Sequence, residues 1–82
     1  MDNYSVEFTN DARRFINRLA QKHKTRILKK IYELPDGVDV VKMKGFKKRY
    51  RMRVGDYRVV YEIYKDRLVV LVVEIDKRGD IY

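Results

Sequence analysis

Residues 49–64, RYRMRVGDYRVVYEIY, alternate apolar and polar side chains on both sides of a Gly55-Asp56 pair. A period of two is typical of a half-buried strand, and a Gly-Asp pair between two such runs predicts a β-hairpin. The first strand then has an apolar face, Tyr50, Met52 and Val54, and a basic face, Arg49, Arg51 and Arg53. A solvent-facing surface needs only polar residues, so a face made of arginines requires a further explanation.

Three strands are predicted after residue 48, at 49–54, 57–64 and 67–75. The last contains the run LVVLVV, which is apolar on both faces and therefore typical of an interior strand. An additional strand is expected at the N-terminus, where Tyr4, Val6 and Phe8 alternate with polar residues.

Two helices are predicted between the first strand and residue 35. The first carries Ala12, Phe15, Ile16 and Leu19 at helical spacing, with Thr9, Asn10 or Asp11 as its N-cap. The second is expected to begin near Lys24 or Thr25 and to end at Pro35. His23 would then lie near the end of the first helix, and VVKMKGFKKR, residues 40–49, would form a loop.

The predicted order is β-α-α-β-β-β. It indicates an α+β fold in which a helical hairpin packs on a curved, mainly antiparallel four-stranded sheet. At 82 residues, without a linker-like segment, the chain is expected to be one domain, residues 1–82. The absence of cysteine, of a signal peptide and of a long apolar run leads us to expect a soluble cytoplasmic protein.

The net charge of +8 is concentrated in one segment. Between Lys42 and Arg58 there are eight basic residues and a single acid, Asp56, so this segment accounts for +7 of the total. A focused positive field attracts a polyanion, either nucleic acid or an acidic protein. A solvated basic face that serves only solubility is the competing interpretation.

Several kinds of catalytic site are excluded or disfavoured by the composition. With no cysteine and one histidine, His23, a catalytic triad is excluded and a transition-metal site would need a cluster of the scattered carboxylates. The four glycines form no phosphate-binding loop. Neither a metal nor a cofactor is expected.

The cations that remain predict a phosphate-binding surface. Hairpin pairing would bring together, at one end of the sheet, Arg51, Arg53, Arg58, Lys77 and Arg78. Guanidinium groups bind phosphate oxygens bidentately and stay charged at physiological pH, which suits stabilisation of a pentacovalent phosphoryl transition state. Tyr57, Tyr61, Tyr64 and Tyr82 are candidates for stacking on bases, although Tyr57 and Tyr61 share a face with Val59 and Ile63 and fit the core better.

With RNA as substrate, the simplest metal-free reaction is attack by the 2′-hydroxyl on the adjacent phosphate. The substrate supplies the nucleophile, and the protein aligns it, assists proton transfer and neutralises charge. Arginine is a poor proton carrier because its pKa is above about 12. A base would have to be Lys77, a loop lysine or Tyr82. We expect such an enzyme to be weak without a partner that holds the RNA.

The element order, the YRMRVGDYRVVYEI hairpin, the LVVLVVEIDKR strand and the closing RGDIY together resemble the RelE/ParE toxin superfamily over essentially the whole chain. The similarity is to RelE-like mRNA endonucleases of toxin–antitoxin pairs. It implies a toxin that enters the ribosomal A site, cleaves mRNA and is inhibited by an acidic, RelB-like antitoxin in a heterodimer or heterotetramer.

The resemblance also implies residue roles. The catalytic positions of the family fall at Arg51, Arg53, Arg58, Arg78 and Tyr82. Further basic residues are predicted to contact RNA or the ribosome, namely Lys42, Lys44, Lys47, Lys48, Arg49 and Lys77. The family often has lysine where this chain has Arg51 and Arg53, so charge stabilisation is the role expected for these two. Many members also continue into a further helix.

Two other functions remain open at this point. ParE-like members share the fold and inhibit DNA gyrase without cleaving RNA, and they tend to be less basic at the strand positions. The third possibility is a non-catalytic module that binds RNA or the ribosome through phosphate contacts alone.

Overall fold

A computed structural model describes residues 4–34 and 40–77. The elements, in chain order, are β1 (Ser5–Phe8), α1 (Asn10–Asn17), α2 (Gln21–Ile31), β2 (Val40–Lys42), β3 (Arg49–Val54), β4 (Tyr57–Tyr64) and β5 (Val69–Lys77). No helix in these two ranges is long and apolar enough to cross a membrane.

The strands form one five-stranded sheet in the order β1-β5-β4-β3-β2. β1 is parallel to β5, and the other neighbouring pairs are antiparallel. The predicted α+β architecture is confirmed, and so is the interior position of the last strand, which lies between β1 and β4.

The number of strands was predicted wrongly because β2 was expected to be a loop. β2 pairs with β3 at the edge of the sheet, with Val41 opposite Arg51. It has only three residues, which is too short for the apolar alternation that identifies a strand in a sequence.

The boundary between the helices was also predicted wrongly. α2 begins at Gln21, not at Lys24 or Thr25, so His23 lies in the first turn of α2. The residue before α2 is Ala20, whose side chain cannot cap a helix, and no glycine or proline marks the break. Pro35, expected to end this helix, lies outside the described residues.

The helices cover one face of the sheet. Phe15 of α1 packs edge-on against the ring of Tyr57, with centroids 6.2 Å apart, and His23 of α2 lies 5.7 Å from the same ring. The buried core between the layers contains Ala12, Ile16, Ile27, Ile31, Leu34, Met52, Val54, Val59, Tyr61, Val70, Val72 and Ile75. Tyr57 and Tyr61 therefore belong to the helix-covered face, as the alternation predicted.

Thr9 connects α1 to the sheet. Its Oγ1 accepts a hydrogen bond from the backbone N–H of Ala12 at 3.2 Å, which makes Thr9 the N-cap among the three candidates. The same hydroxyl donates to the carbonyl oxygen of Val73 at 2.7 Å. One side chain thus fixes the start of α1 against β5.

β5 contains a bulge that changes which side chains face the helices. Tyr61 is opposite Val72, whereas Val60 is opposite Glu74, so Val73 is an extra residue in the ladder. The shift lets Ile75 enter the core beside Val59 while Asp76 turns to the other face. β5 begins at Val69 and ends at Lys77, two residues later at each end than predicted.

Candidate nucleic-acid interface

The face of the sheet that the helices leave uncovered, here called the open face, carries most of the charged side chains of the strands. By the pairing register it consists of Ser5, Glu7, Val41, Arg49, Arg51, Arg53, Arg58, Val60, Glu62, Tyr64, Val69, Leu71, Glu74 and Asp76. The predicted division of β3 into an apolar and a basic face is confirmed, because Met52 and Val54 are buried in the core.

Three charged residues form a row across β3, β4 and β5 at the end of the open face near the hairpin turn. Arg53 is directly opposite Arg58, and Arg58 is directly opposite Asp76. Directly opposed side chains have their Cβ atoms about 5 Å apart, so the two arginines repel each other and the carboxylate offsets that repulsion.

Arg58 is held by Asp76. Its Nη2 donates to Oδ2 of Asp76 at 3.0 Å, and both side chains are about three-quarters buried. Arg58, which was predicted to be one of the phosphate-binding cations, therefore already has an acidic partner at one of its nitrogens. No acidic partner was predicted for it from the sequence.

Arg51 and Arg53 are different, because neither forms an ion pair with any described residue. Arg53 is exposed and Arg51 is half-buried. Arg51 is opposite Val60, which is only 5% exposed although neither α1 nor α2 covers this face. Neighbouring side chains must therefore lie across Val60, as long arginine stems do when they lie along a surface.

A second cluster lies at the opposite end of the open face and is internally neutralised. Glu62 accepts hydrogen bonds at Oε2 from Nε and Nη2 of Arg49, at 3.1 and 2.7 Å, and at Oε1 from the hydroxyl of Tyr64 at 2.6 Å. Arg49, predicted to bind RNA, is therefore less available to phosphate than Arg51 or Arg53.

The bonds in this cluster shift two pKa values in opposite directions. The hydrogen bond from Tyr64 is the main cause that lowers the pKa of Glu62 below 4.5, and those from Arg49 add to it against the effect of burial. The same bond to Glu62 raises the pKa of Tyr64 above 10.0. Glu62 is thus ionised and Tyr64 protonated at neutral pH.

The predicted RNA-binding lysines lie on or near the edge of the sheet that β2 forms. Lys42, Lys44, Lys47 and Lys48 are all exposed. Lys48 lies over the ring of Tyr64, with Nζ 4.7 Å from the centroid, and the guanidinium of Arg67 lies 4.5 Å from it. Tyr64, a candidate for base stacking, therefore already has two cations against its ring.

A groove of about 280 Å³ beside Arg51 connects two of these lysines, Lys42 and Lys44, to the open face. It is lined by Val41, Lys42, Met43, Lys44 and Arg51. Its charged lining residues are all basic. A larger groove of about 610 Å³ lies between α1 and β5, but acids and bases both line it, including Asp11, Arg14, Arg18 and Glu74. Charge alone therefore favours the open face for a polyanion.

Of the three remaining predicted site residues, one lies within the described part of the chain and two do not. Lys77 ends β5 opposite Tyr57, so it lies at the same end of the sheet as Arg58 but on the helix-covered face by register. Arg78 and Tyr82 lie outside the described residues.

Two functional candidates were missed in the sequence, Asp76 and Glu62. Each is the partner of an open-face arginine. Glu62 could have been found, because an arginine and a glutamate fall opposite each other when the 49–64 hairpin is folded at Gly55-Asp56. Asp76 could not be found by strict alternation, since the bulge changes its face.

Among residues 4–34 and 40–77, no three histidine, aspartate or glutamate side chains approach closely enough to hold a metal ion. What the described surface can do chemically is bind and neutralise negative charge. An arginine held in place, as Arg58 is by Asp76, can do so without first reorganising, which is what stabilisation of a phosphoryl transition state requires.

Comparison with known families gives one match that spans nearly the whole sequence. Residues 3–82 match the model of the ParE toxin of the type II toxin–antitoxin system parDE. A RelE-like toxin protein of Escherichia coli is 28% identical over 85 residues, covering 96% of this chain and 90% of the relative.

Solved structures with the same fold include toxins from bacteria and an archaeon. The RelBE2 toxin–antitoxin complex of Mycobacterium tuberculosis matches with a TM-score of 0.81 at 24% identity, covering 98% of this chain and 97% of the other. Archaeal RelE from its complex with RelB of Pyrococcus horikoshii matches with 0.77 at 28% identity, covering 95% and 98%. Isolated Escherichia coli RelE matches with 0.79 at 24% identity, covering 92% and 84%.

Proposed function

Because this chain belongs to the ParE toxin family of type II toxin–antitoxin systems and is RelE-like, we propose that it is a ribosome-dependent mRNA endonuclease. It acts in the cytoplasm, where it enters the ribosomal A site and cleaves the bound mRNA. The reaction is attack of a ribose 2′-hydroxyl on the adjacent phosphate, which leaves a 2′,3′-cyclic phosphate and a free 5′-hydroxyl.

The observation that carries this proposal is the arrangement of Arg51, Arg53 and Arg58 on the open face. Arg53 and Arg58 are opposite each other on neighbouring strands, and Arg51 is two residues from Arg53 on β3, or about 7 Å along the strand. Three guanidinium groups at this spacing can contact one phosphate and its neighbours. Arg78, which follows β5, is proposed as a fourth.

These residues stabilise charge and do not carry the proton. Guanidinium groups remain protonated at the pH of the cell, so Arg51, Arg53, Arg58 and Arg78 offset the negative charge that develops on the phosphoryl oxygens. Proton transfer falls to Tyr82 or to a loop lysine. Lys77 is a weaker candidate, because it is opposite Tyr57 and therefore lies on the helix-covered face of the sheet.

The exposed lysines near β2 supply affinity for RNA. Lys42 and Lys44 line the groove beside Arg51, and Lys47 and Lys48 are exposed between β2 and β3. Contacts of this kind recognise phosphates without reading sequence, and their strength falls with salt concentration. We assign them, with Arg49 and Lys77, to binding of the ribosome and the mRNA.

The partner in the cell is an antitoxin. Proteins of this fold occur in the RelBE2 toxin–antitoxin complex of Mycobacterium tuberculosis and in the RelE–RelB complex of Pyrococcus horikoshii. In this chain, the segment from Lys42 to Arg58 has a net charge of +7. An acidic, RelB-like protein bound to this segment in a heterodimer or heterotetramer would block the arginines. A short acidic reading frame beside the toxin gene is expected.

Inhibition of DNA gyrase is the second candidate, and the description of the matching family as ParE favours it. The basic open face favours the ribonuclease, because gyrase inhibition does not require guanidinium groups around a phosphate. A non-catalytic RNA-binding module is a third candidate and would use the same cations for binding alone.

Programmed ribosomes with a defined A-site codon separate the three functions. Incubation with the toxin is expected to give a transcript cut at that codon with a 2′,3′-cyclic phosphate end, and the antitoxin should suppress the cut. An intact transcript together with blocked DNA supercoiling would establish the gyrase function instead. Ribosome binding with neither a cut transcript nor blocked supercoiling would show that the protein is a non-catalytic RNA-binding module.

A further inference from the structure

The ion pair between Arg58 and Asp76 is only half satisfied. One hydrogen bond joins them, from Nη2 to Oδ2 at 3.0 Å. Nε of Arg58 and Oδ1 of Asp76 are both buried and have no hydrogen-bond partner among residues 4–34 and 40–77. Buried polar atoms without partners are costly, so an ion pair built only for stability would be expected to close both bonds.

The other ion pair of the open face shows the difference. The carboxylate of Glu62 accepts two hydrogen bonds from Arg49 at Oε2 and one from Tyr64 at Oε1, so both of its oxygens are engaged. The two pairs have similar exposure and the same cross-strand geometry. They differ in that Asp76 holds its arginine by a single nitrogen.

We propose that Asp76 is a positioning residue for Arg58. By accepting one bond from Nη2 it fixes the guanidinium plane against the repulsion of Arg53 and leaves Nη1 for a phosphate oxygen. This inference rests on the proposed endonuclease function and deepens it, because it names the group that orients one of the charge-stabilising arginines. It also accounts for the bulge at Val73, which is what brings Asp76 opposite Arg58.

The carboxylate has two opposing effects on an RNA substrate. Its negative charge lies near the site of the phosphate and weakens ground-state binding. Its hydrogen bond keeps the guanidinium in the orientation that the transition state needs. Removal of the side chain therefore lowers KM and kcat together, whereas a merely structural role would reduce the amount of folded enzyme and leave KM unchanged.

The test compares Asp76→Ala and Asp76→Asn with the wild type on programmed ribosomes. Asp76→Ala is expected to lower kcat about tenfold to a hundredfold and KM about two- to fivefold. Asp76→Asn keeps an oxygen that can accept from Nη2, so it should recover most of kcat while KM stays low. Glu33→Gln, which breaks the exposed ion pair with Lys30 after α2 and away from the open face, should leave kcat unchanged.

A second measurement does not depend on cleavage. In the ¹⁵N-labelled free protein, the Nε–H of Arg58 should exchange slowly with solvent because Nε is buried. Asp76→Ala should accelerate that exchange, because the guanidinium loses the bond that positions it. Asp76→Asn keeps an acceptor for Nη2 and should not accelerate it. Wild type that does not cut RNA would reject the proposed function alone. Wild type that cuts, with Asp76→Ala unchanged in kcat and in Nε–H exchange, would reject the positioning role. Equal loss of kcat in the Ala and Asn variants would reject it as well, because orientation would then not be the cause.

Discussion

Arg26 on α2 packs directly on Gly55 in the turn of the β3–β4 hairpin. A Cβ atom on Gly55 would stand 3.0 Å from Nη1 of Arg26 and 3.1 Å from its Cζ. Gly55 also has a φ of +59°, in the left-handed region that favours glycine. The turn that aligns Arg53 with Arg58 is therefore held both by its own backbone and by a helix.

Gly55→Ala is expected to lower the free energy of unfolding by more than the cost of the left-handed backbone, which is about 1–2 kcal/mol. Gly45→Ala is the matched control, because Gly45 has a φ of +83° but no atom within 4 Å of its would-be Cβ. Urea unfolding of both variants isolates the contact with Arg26. Equal losses in the two variants would show that the contact contributes nothing.

Thr9→Val should destabilise the protein by about 1–2 kcal/mol. The change keeps the shape of the side chain but removes the hydroxyl that caps α1 and donates to Val73. Thr9→Ser retains both bonds and should lose much less. Thermal unfolding measures the difference, and identical melting temperatures for the two variants would contradict the double role of Oγ1.

Tyr61→Phe is expected to leave the protein as stable as the wild type at pH 7, or to stabilise it by up to about 1 kcal/mol. The hydroxyl of Tyr61 is buried and has no hydrogen-bond partner in the described part of the chain, so its removal relieves a desolvation cost. A destabilised variant would indicate that the hydroxyl does have a partner.

The same variant predicts an effect of alkaline pH. Burial is the main cause that raises the pKa of Tyr61 to about 12. A raised pKa in the folded state contributes stability that is present below the unfolded value of 10.0 and lost as pH rises toward about 12. Relative to Tyr61→Phe, the wild type should therefore lose up to about 1.4 kcal/mol per pH unit in that interval. Parallel urea titrations at pH 9, 10 and 11 test it.

Glu62 should give the opposite dependence at acid pH. Because hydrogen bonds lower its pKa in the folded state, its contribution is present above the unfolded value and is lost as pH falls through the folded one. The free energy of unfolding of the wild type should fall more steeply below about pH 4.5 than that of Glu62→Gln. Parallel slopes for the two proteins would contradict the prediction.

Cleavage and binding should depend on different cations. Arg58→Ala and Arg78→Ala are each expected to abolish cutting while ribosome binding barely changes, and Arg58→Lys, which keeps the charge but not the planar fork, should cut about a hundredfold more slowly. Lys47→Ala and Lys48→Ala should instead weaken binding and each reduce its salt dependence by about one counterion. Equal loss of cutting and binding in the arginine variants would favour the non-catalytic module.

The alternation of residues 49–64 predicted the hairpin, its two faces and the grouping of the arginines because the pattern is unbroken and the turn is short. Core tyrosines could be separated from surface ones for the same reason. What alternation cannot reveal is whether an arginine is already paired, since this depends on strands distant in the sequence. Arg58 and Arg51 look alike in the sequence but differ in the structure.

The errors in predicting the helix boundary and the faces of β5 from the sequence have specific physical causes. The break between α1 and α2 occurs at Ala20, without a capping side chain, glycine or proline. In β5, strict alternation would place Glu74 and Asp76 on the same face as Val70 and Val72, inside the core. The bulge at Val73 avoids the free-energy cost of burying these two carboxylates in the core. A pair of acids on the apparent core face was the available signal that the ladder had to shift.

The parallel pairing of β1 with β5 has a consequence for how this toxin is made. Residues Ser5–Phe8 pair with Val69–Val72, so β1 is made long before the strand beside which it lies in the sheet. Asp76 also reaches Arg58 only when β5 is complete. A chain that stops short of β5 lacks the strand that joins β1 to β4 and supplies Asp76, so it cannot form the complete open face.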